Sequence, residues 1–220
     1  MGEDFYNTLT KTDEYYSCER KEMLKYIPYG SSTILDVGCA TGNFGESLKK
    51  LFGAEVWGIE AHIDSAMKAS MKLNKVITGD IQTSINELPQ NYFDCIVFND
   101  VLEHLTDPYN VLKEINGKLK KDGSIVASIP NVRYVINLKE LLWNKDWQYK
   151  DNGILDYDHY RFFTKKSIVR MFQDAGYNLV LIEGINAIDR KILFTIFNIF
   201  TFGILSDSKY LQFACAGKKL

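Results

Sequence analysis

The sequence predicts an α/β fold, a mostly parallel sheet with helices on both faces, and three observations predict it. Short β-rich runs alternate with amphipathic stretches from about residue 33 onward. One run, Phe93-Asp94-Cys95-Ile96-Val97-Phe98-Asn99, is almost continuously apolar, as a strand covered on both faces must be. The spacing between runs leaves room for one helix each, the crossover that a parallel strand pair requires.

Taken in order, Thr33-Ile34-Leu35-Asp36-Val37 is a short strand running into a glycine-rich turn. Phe44 to Leu51 reads as a helix with Phe44, Leu48 and Leu51 on one face. Glu55 to Glu60 is the second strand, and Ile63 to Leu73 the second helix. Lys75-Val76-Ile77-Thr78 is the third strand, and Phe93 to Asn99 the fourth. Asp107 caps a helix that has Pro108 in its first turn and runs through Val111, Leu112, Ile115 and Leu119. Lys120-Lys121-Asp122-Gly123 is expected to close that helix, and Ser124 to Ile129 to form the fifth strand. Ser167 to Ala175 is a helix stopped by Gly176, and Asn178–Glu183 and Tyr210–Ala216 are two further strands.

The whole chain of 220 residues, 46% apolar, is long enough for one domain with a proper core. Within it, 1–30 reads as a helical cap, 31–130 as a ligand-binding core, 131–164 as an insertion, and 165–220 as the rest of the sheet. With 26 Lys+Arg against 28 Asp+Glu, and basic residues only in scattered doublets, no nucleic-acid partner is expected. Cys18, Cys39, Cys95 and Cys215 show no CxxC pairing and no histidine at ligand spacing. Neither a metal site nor a disulfide framework is expected, and a cytoplasmic home is. The polar, acidic N-terminus does not read as a signal peptide.

Ligands of open α/β sheets sit at the carboxyl ends of the strands, where the strand order reverses. The first turn there is Asp36-Val37-Gly38-Cys39-Ala40-Thr41-Gly42-Asn43-Phe44-Gly45. Ala40 stands where a dinucleotide fingerprint needs its second glycine, which disfavours a nicotinamide cofactor and an oxidoreductase. Asp36 would repel a pyrophosphate and suit a cation such as an ammonium or a sulfonium. Glu60 ends the second strand, placed to take both hydroxyls of a ribose, and Asp80 follows the third, able to accept from an adenine amine. Three acids at three successive strand tips describe a cationic nucleoside ligand.

These segments resemble the motifs of class I S-adenosylmethionine-dependent methyltransferases. Ile34-Leu35-Asp36-Val37-Gly38-Cys39-Ala40-Thr41-Gly42 resembles the first motif, Gly58-Ile59-Glu60 the second and Gly79-Asp80-Ile81 the third. Phe93 through Leu105 resembles the fourth, in the small-molecule branch that includes ubiquinone-biosynthesis O-methyltransferases. Tyr15-Tyr16 and Arg20 resemble the helix that closes over the donor in that branch. The resemblance implies a Rossmann-like, seven-stranded, mostly parallel sheet whose last strand is antiparallel, with a helical and aromatic cap insertion. It implies S-adenosyl-L-methionine as donor and a small-molecule acceptor. Gly38 and Gly42 would let the backbone approach the methionine part, and Asp36 would orient that loop. Glu60 would bind ribose, Asp80 and the Ile81 amide adenine, and the Asn99 carbonyl the ammonium. A non-catalytic donor-binding protein of the same fold is the alternative.

Methyl transfer to oxygen needs a proton acceptor near the transferred methyl. The chain has three histidines, His62, His104 and His159, and His62 is placed with the adenine edge or solvent. His104 is either that acceptor or a shaper of the donor pocket. His159 lies in Asp156-Tyr157-Asp158-His159-Tyr160-Arg161-Phe162-Phe163-Thr164, where it is a second base candidate or, with Arg161, a tie between insertion and sheet. The insertion also carries Arg133, Tyr134, Trp143, Trp147, Tyr149, Tyr157 and Tyr160. The pattern resembles bacterial methyltransferases of cell-surface glycan pathways and points to a sugar or other polar-metabolite hydroxyl. Ile192 to Leu205 is an uncharged apolar run, too short to span a membrane. It is expected to pack on this chain's own sheet or form a homodimer face, with membrane-surface contact ranked lower because only Arg190-Lys191 flank it.

Overall fold

The computed structural model describes residues 19–189 and 191–220. Seven strands form one sheet in the order β3-β2-β1-β4-β5-β7-β6. They are β1 (Thr33–Val37), β2 (Glu55–Glu60), β3 (Lys75–Thr78), β4 (Phe93–Asn99), β5 (Leu119–Pro130), β6 (Tyr177–Ala187) and β7 (Tyr210–Lys219). β7 is inserted antiparallel between β5 and β6, and the pairs from β3 to β5 are parallel. The order reverses between β1 and β4, so the crevice expected from the topology lies at their carboxyl ends.

The helices are α1 (Asn43–Phe52), α2 (Ile63–Ser70), α3 (Ile81–Ser84), α4 (Pro108–Asn116), α5 (Val135–Lys139), α6 (Lys165–Asp174) and α7 (Lys191–Phe200). The two-residue period of the strands splits the core in two. Leu35, Val37, Ile96 and Phe98 face a cluster with α4 and α6. Ile34, Val56, Cys95 and Val97 face another with α1 and α2. Both sides of the sheet are thus covered, which is why β4 reads as a continuous apolar run.

Two expectations are corrected. Lys120-Lys121-Asp122-Gly123 does not close the fourth-strand helix, which ends at Asn116; those residues belong to β5. Tertiary pairing overrides their turn-like composition: Leu119 pairs with Phe93 across a bulge, and Lys120 Nζ meets Asp94 Oδ1 at 2.8 Å. The helix from Ile63 stops at Ser70 rather than Leu73, because Asn74 turns in and accepts from the Val56 amide at 3.0 Å. The described part of the N-terminal cap, residues 19–30, holds only a 3-10 helix at Lys21–Tyr26, with Met23 and Tyr26 buried. Tyr15 and Tyr16, like Cys18 and Arg190, lie outside the described residues. The other three cysteines are buried free thiols.

Candidate active site

The turn after β1 bends through left-handed backbone at Gly38, Ala40 and Gly42, with φ of 70°, 47° and 78°. A Cβ on Gly38 would stand 2.5 Å from Val101 Cγ2, and one on Gly42 3.0 Å from the Ala69 backbone. The chain's own packing therefore demands glycine at both positions, apart from any approach of a ligand. The Gly38 and Cys39 amides donate to the Ile59 carbonyl at 2.8 and 3.0 Å, clamping the turn to the end of β2.

Glu60 completes that clamp. Its Oε2 accepts from the Ala40 amide and its Oε1 from the His62 amide, each at 2.8 Å, and the side chain is buried. One lone pair on each oxygen is left over by these two bonds. Asp36 lies beside it, buried, with Oδ2 lacking a hydrogen-bond partner among the described residues. Burial, and then the Glu60 charge, push the Asp36 carboxyl up to about 8. Asp80 is exposed and caps α3, its Oδ1 accepting from the Gln82 amide at 2.7 Å, so the helix-cap role is realised there. Ile81 begins that helix with its side chain buried.

β4 ends in Asn99, whose Oδ1 and Nδ2 are buried without a partner among the described residues. By strand alternation Asn99 and Asp36 project from the same face of neighbouring strands, since Asp36 is paired with Val97. Asp100, in left-handed backbone at φ 55°, turns the chain away. Its carboxylate receives Arg20 Nη1 at 2.7 Å, Ser128 Oγ at 2.9 Å and Gln212 Nε2 at 2.7 Å. Burial raises the Asp100 carboxyl against the pull of Arg20. Arg20 also donates to Ser128 Oγ at 2.8 Å. Arg20 thus lies at the ends of β4 and β5, beside Asn99. Sequence reasoning missed Asp100, Ser128 and Gln212; Asp100 was in view inside the fourth motif, but nothing local ties it to Gln212, 112 residues on.

His104 and His159 come together, their rings 4.6 Å apart and nearly perpendicular. His104 Nδ1 lies 3.0 Å from the Asp158 carbonyl and His159 Nδ1 2.9 Å from the Ile154 carbonyl. The Tyr160 and Arg161 amides donate to the Glu103 carbonyl, and Arg161 Nη2 to the Thr106 carbonyl at 2.6 Å. Arg161 is accordingly a tie between the insertion and the 3-10 helix at Leu102–His104. Although no metal was expected, Glu103, His104 and His159 each offer a ligand atom within 4.8 Å of the others. His62 is exposed and faces Ser65 at the start of α2. In the insertion, Trp147 packs edge-on to Phe162 and Tyr149 stacks on Tyr157, while Arg133 pairs with Asp207 instead.

This geometry can be set beside known proteins. The family model for a methyltransferase domain matches residues 10–182. The chain belongs to that methyltransferase family. It is 24% identical over 149 residues to a mitochondrial ubiquinone biosynthesis O-methyltransferase of Dictyostelium discoideum, covering 58% of this chain and 46% of that protein. It is 28% identical over 188 residues to a demethylmenaquinone methyltransferase of Staphylococcus aureus, covering 74% and 76%. The chain thus spans less than half the length of the ubiquinone relative. The fold is shared with an S-adenosylmethionine-dependent methyltransferase of Archaeoglobus fulgidus at a TM-score of 0.69 and 22% identity, covering 90% and 91%.

The class takes S-adenosylmethionine as methyl donor, and the residues present fit it. Asp36 Oδ2 and the Asn99 amide are buried polar atoms awaiting partners, which a cationic, amine-bearing ligand supplies. Glu60 retains acceptor capacity for a diol. The absence of a pyrophosphate-sized glycine at Ala40 agrees with the same choice over a nicotinamide.

Proposed function

We propose that this chain transfers the methyl group of S-adenosylmethionine to a hydroxyl oxygen of a small-molecule acceptor. The observation that carries the reading is the imidazole pair beyond β4. A carbonyl oxygen only accepts, so each Nδ1 bonded to one carries the hydrogen, and Nε2 is the nitrogen that takes up a proton.

When bound, the donor supplies a methyl group activated on a sulfonium sulfur. The chain's residues do the rest. Glu60 accepts from the ribose hydroxyls, Asp80 Oδ2 and the Ile81 amide meet the adenine edge, and Asn99 meets the ammonium. The Ile59 carbonyl and Glu60 hold the Gly38–Gly42 turn, Asp36 Oδ2 meets the cationic end of the donor, and Arg20 ties its own segment to Asp100 and Ser128 at the ends of β4 and β5. Nε2 of His104 or His159 accepts the hydroxyl proton. A sugar or other polar-metabolite hydroxyl is the acceptor class favoured by the sequence pattern. The relatives' names, ubiquinone biosynthesis O-methyltransferase and demethylmenaquinone methyltransferase, support a quinone-type ring instead, and Trp147, Tyr149, Tyr157 and Phe162 suit either, since both present a flat apolar face.

Turnover tests this. At least one of His104→Ala and His159→Ala should lose about 10²- to 10⁴-fold in kcat with donor binding retained; wild-type turnover in both would end the reading. A second reading rests on the three-ligand cluster of Glu103, His104 and His159. A divalent cation there would acidify the acceptor hydroxyl in place of a protein base. Loss of turnover after chelation, restored by added magnesium or zinc, would favour the cation.

A further inference from the structure

The end of α7 and the turn that follows it present large apolar side chains to solvent. Ile199 is 69% exposed, Phe200 77%, Phe202 93% and Ile204 69%. They are held in place by a chain of turns, with amide-to-carbonyl bonds from Phe202 to Ile199, Gly203 to Asn198 and Ile204 to Thr201. Phe202 occupies left-handed backbone at φ 52°, a strained conformation that keeps an aromatic ring outside the core. Four such residues within six exceed the scattered exposure that a solvated surface carries.

Sequence neighbours alone supply little positive charge to this run, but the fold does. A cavity of about 640 Å³ adjoins it, lined by Arg133, Lys165, Lys166, Ile204, Tyr210 and Phe213. Arg133 donates to the Ile204 carbonyl at 2.8 Å and pairs with Asp207, the carboxylate of the lining. That pairing leaves the exposed Lys165 and Lys166 as the uncompensated charges of the lining. The chain as a whole has a net charge of -2, so this is a local positive region beside an apolar one.

We infer that the 199–204 turn and the Lys165-Lys166 rim form a docking surface for an anionic lipid bilayer. Aromatic and aliphatic side chains enter the headgroup region while the ammonium groups meet lipid phosphates. A second copy of this chain fits less well, because the lining offers no unpaired carboxylate to meet the lysines of a mate, Asp207 being taken by Arg133. The surface lies at the ends of β5 and β6 and the start of β7, the sheet edge that carries Asn99 and Asp100 at the end of β4. Docking would therefore turn the edge that carries Asn99 and Asp100 toward the membrane surface.

Vesicle co-sedimentation of the full chain tests the inference. Vesicles of phosphatidylglycerol and phosphatidylcholine should retain the protein, and pure phosphatidylcholine should retain at least tenfold less. Phe200→Ser with Phe202→Ser, and separately Lys165→Gln with Lys166→Gln, should each lower retention at least tenfold. Unchanged binding of S-adenosylhomocysteine would show that the variants are folded. Equal retention of the variants, or none of the wild type, overturns the inference. So does a wild-type dimer in sedimentation equilibrium that the phenylalanine variant dissolves, with no vesicle binding.

Discussion

Asp36 shows most plainly what a single residue gives up for the site. Its carboxyl is buried, lies beside Glu60, and is held up to about 8 from an ordinary 3.8. The folded chain therefore binds a proton there that the unfolded chain has released. Stability from this group is full below about pH 4 and is lost as the pH rises toward 8. Asp36→Asn should remove that dependence and raise stability at pH 8.5 by up to about 5 kcal/mol, while weakening donor binding. Melting temperatures of both proteins at pH 5 and pH 8.5 check it; parallel changes in the two would refute it. The acids at 36, 60 and 80 were legible because each stands at or next to the end of a strand. The bonds that occupy them were not, since the Ala40, His62 and Gln82 amides reach the carboxylates only once the turns have formed.

Among the elements, the starts of β1 and β4 are stapled by one carboxylate. Asp94 accepts from the Ser32 and Thr33 amides at 3.0 and 2.9 Å, and from their hydroxyls, and pairs with Lys120. Burial works against its charge, but Lys120, Ser32 and Thr33 together hold the carboxyl well below the usual range. This contribution is present at neutral pH and disappears on acidification below the ordinary carboxylate range. Asp94→Ala should cost about 1–3 kcal/mol in urea titration at pH 7 and less at pH 2.5, part-way through the loss; an equal cost at both would contradict the staple. At the other end of the insertion, Thr164 and Ser167 form a reciprocal cap on α6, with the Ser167 amide 3.2 Å from Thr164 Oγ1. Thr164→Ala should destabilise by about 1 kcal/mol, read as a lowered denaturation midpoint.

The same elements mark where sequence reading fell short. The alternation of strands and helices from 33 to 130 was legible because both faces of the sheet impose it. The 120–123 stretch was not, because two lysines, an aspartate and a glycine resemble a helix stop until Asp94 pairs with Lys120. β6 outruns its expected end at Glu183 because Gly184 lies against the Tyr210 ring, which leaves no room for a side chain. That neighbour is 26 residues away and invisible to local pattern.

At the scale of the whole molecule, the sheet order gathers distant residues on one edge. Asp36, Glu60, Asp80 and Asn99 lie at or beside the ends of four strands whose order is β3-β2-β1-β4, and Arg20 joins them from the N-terminal segment. His104 and His159, 55 residues apart in number, meet because the Tyr160 and Arg161 amides bind the Glu103 carbonyl. No helix among the described residues is long and apolar enough to cross a membrane.

The most direct measurement is calorimetric titration of the protein with S-adenosylhomocysteine, S-adenosylmethionine and NAD, alongside Glu60→Gln. The account predicts micromolar binding of both adenosyl ligands, at least tenfold weaker in Glu60→Gln, and none of NAD. Adenosyl binding that is absent, or that is unchanged in Glu60→Gln, would contradict the site at the end of β2.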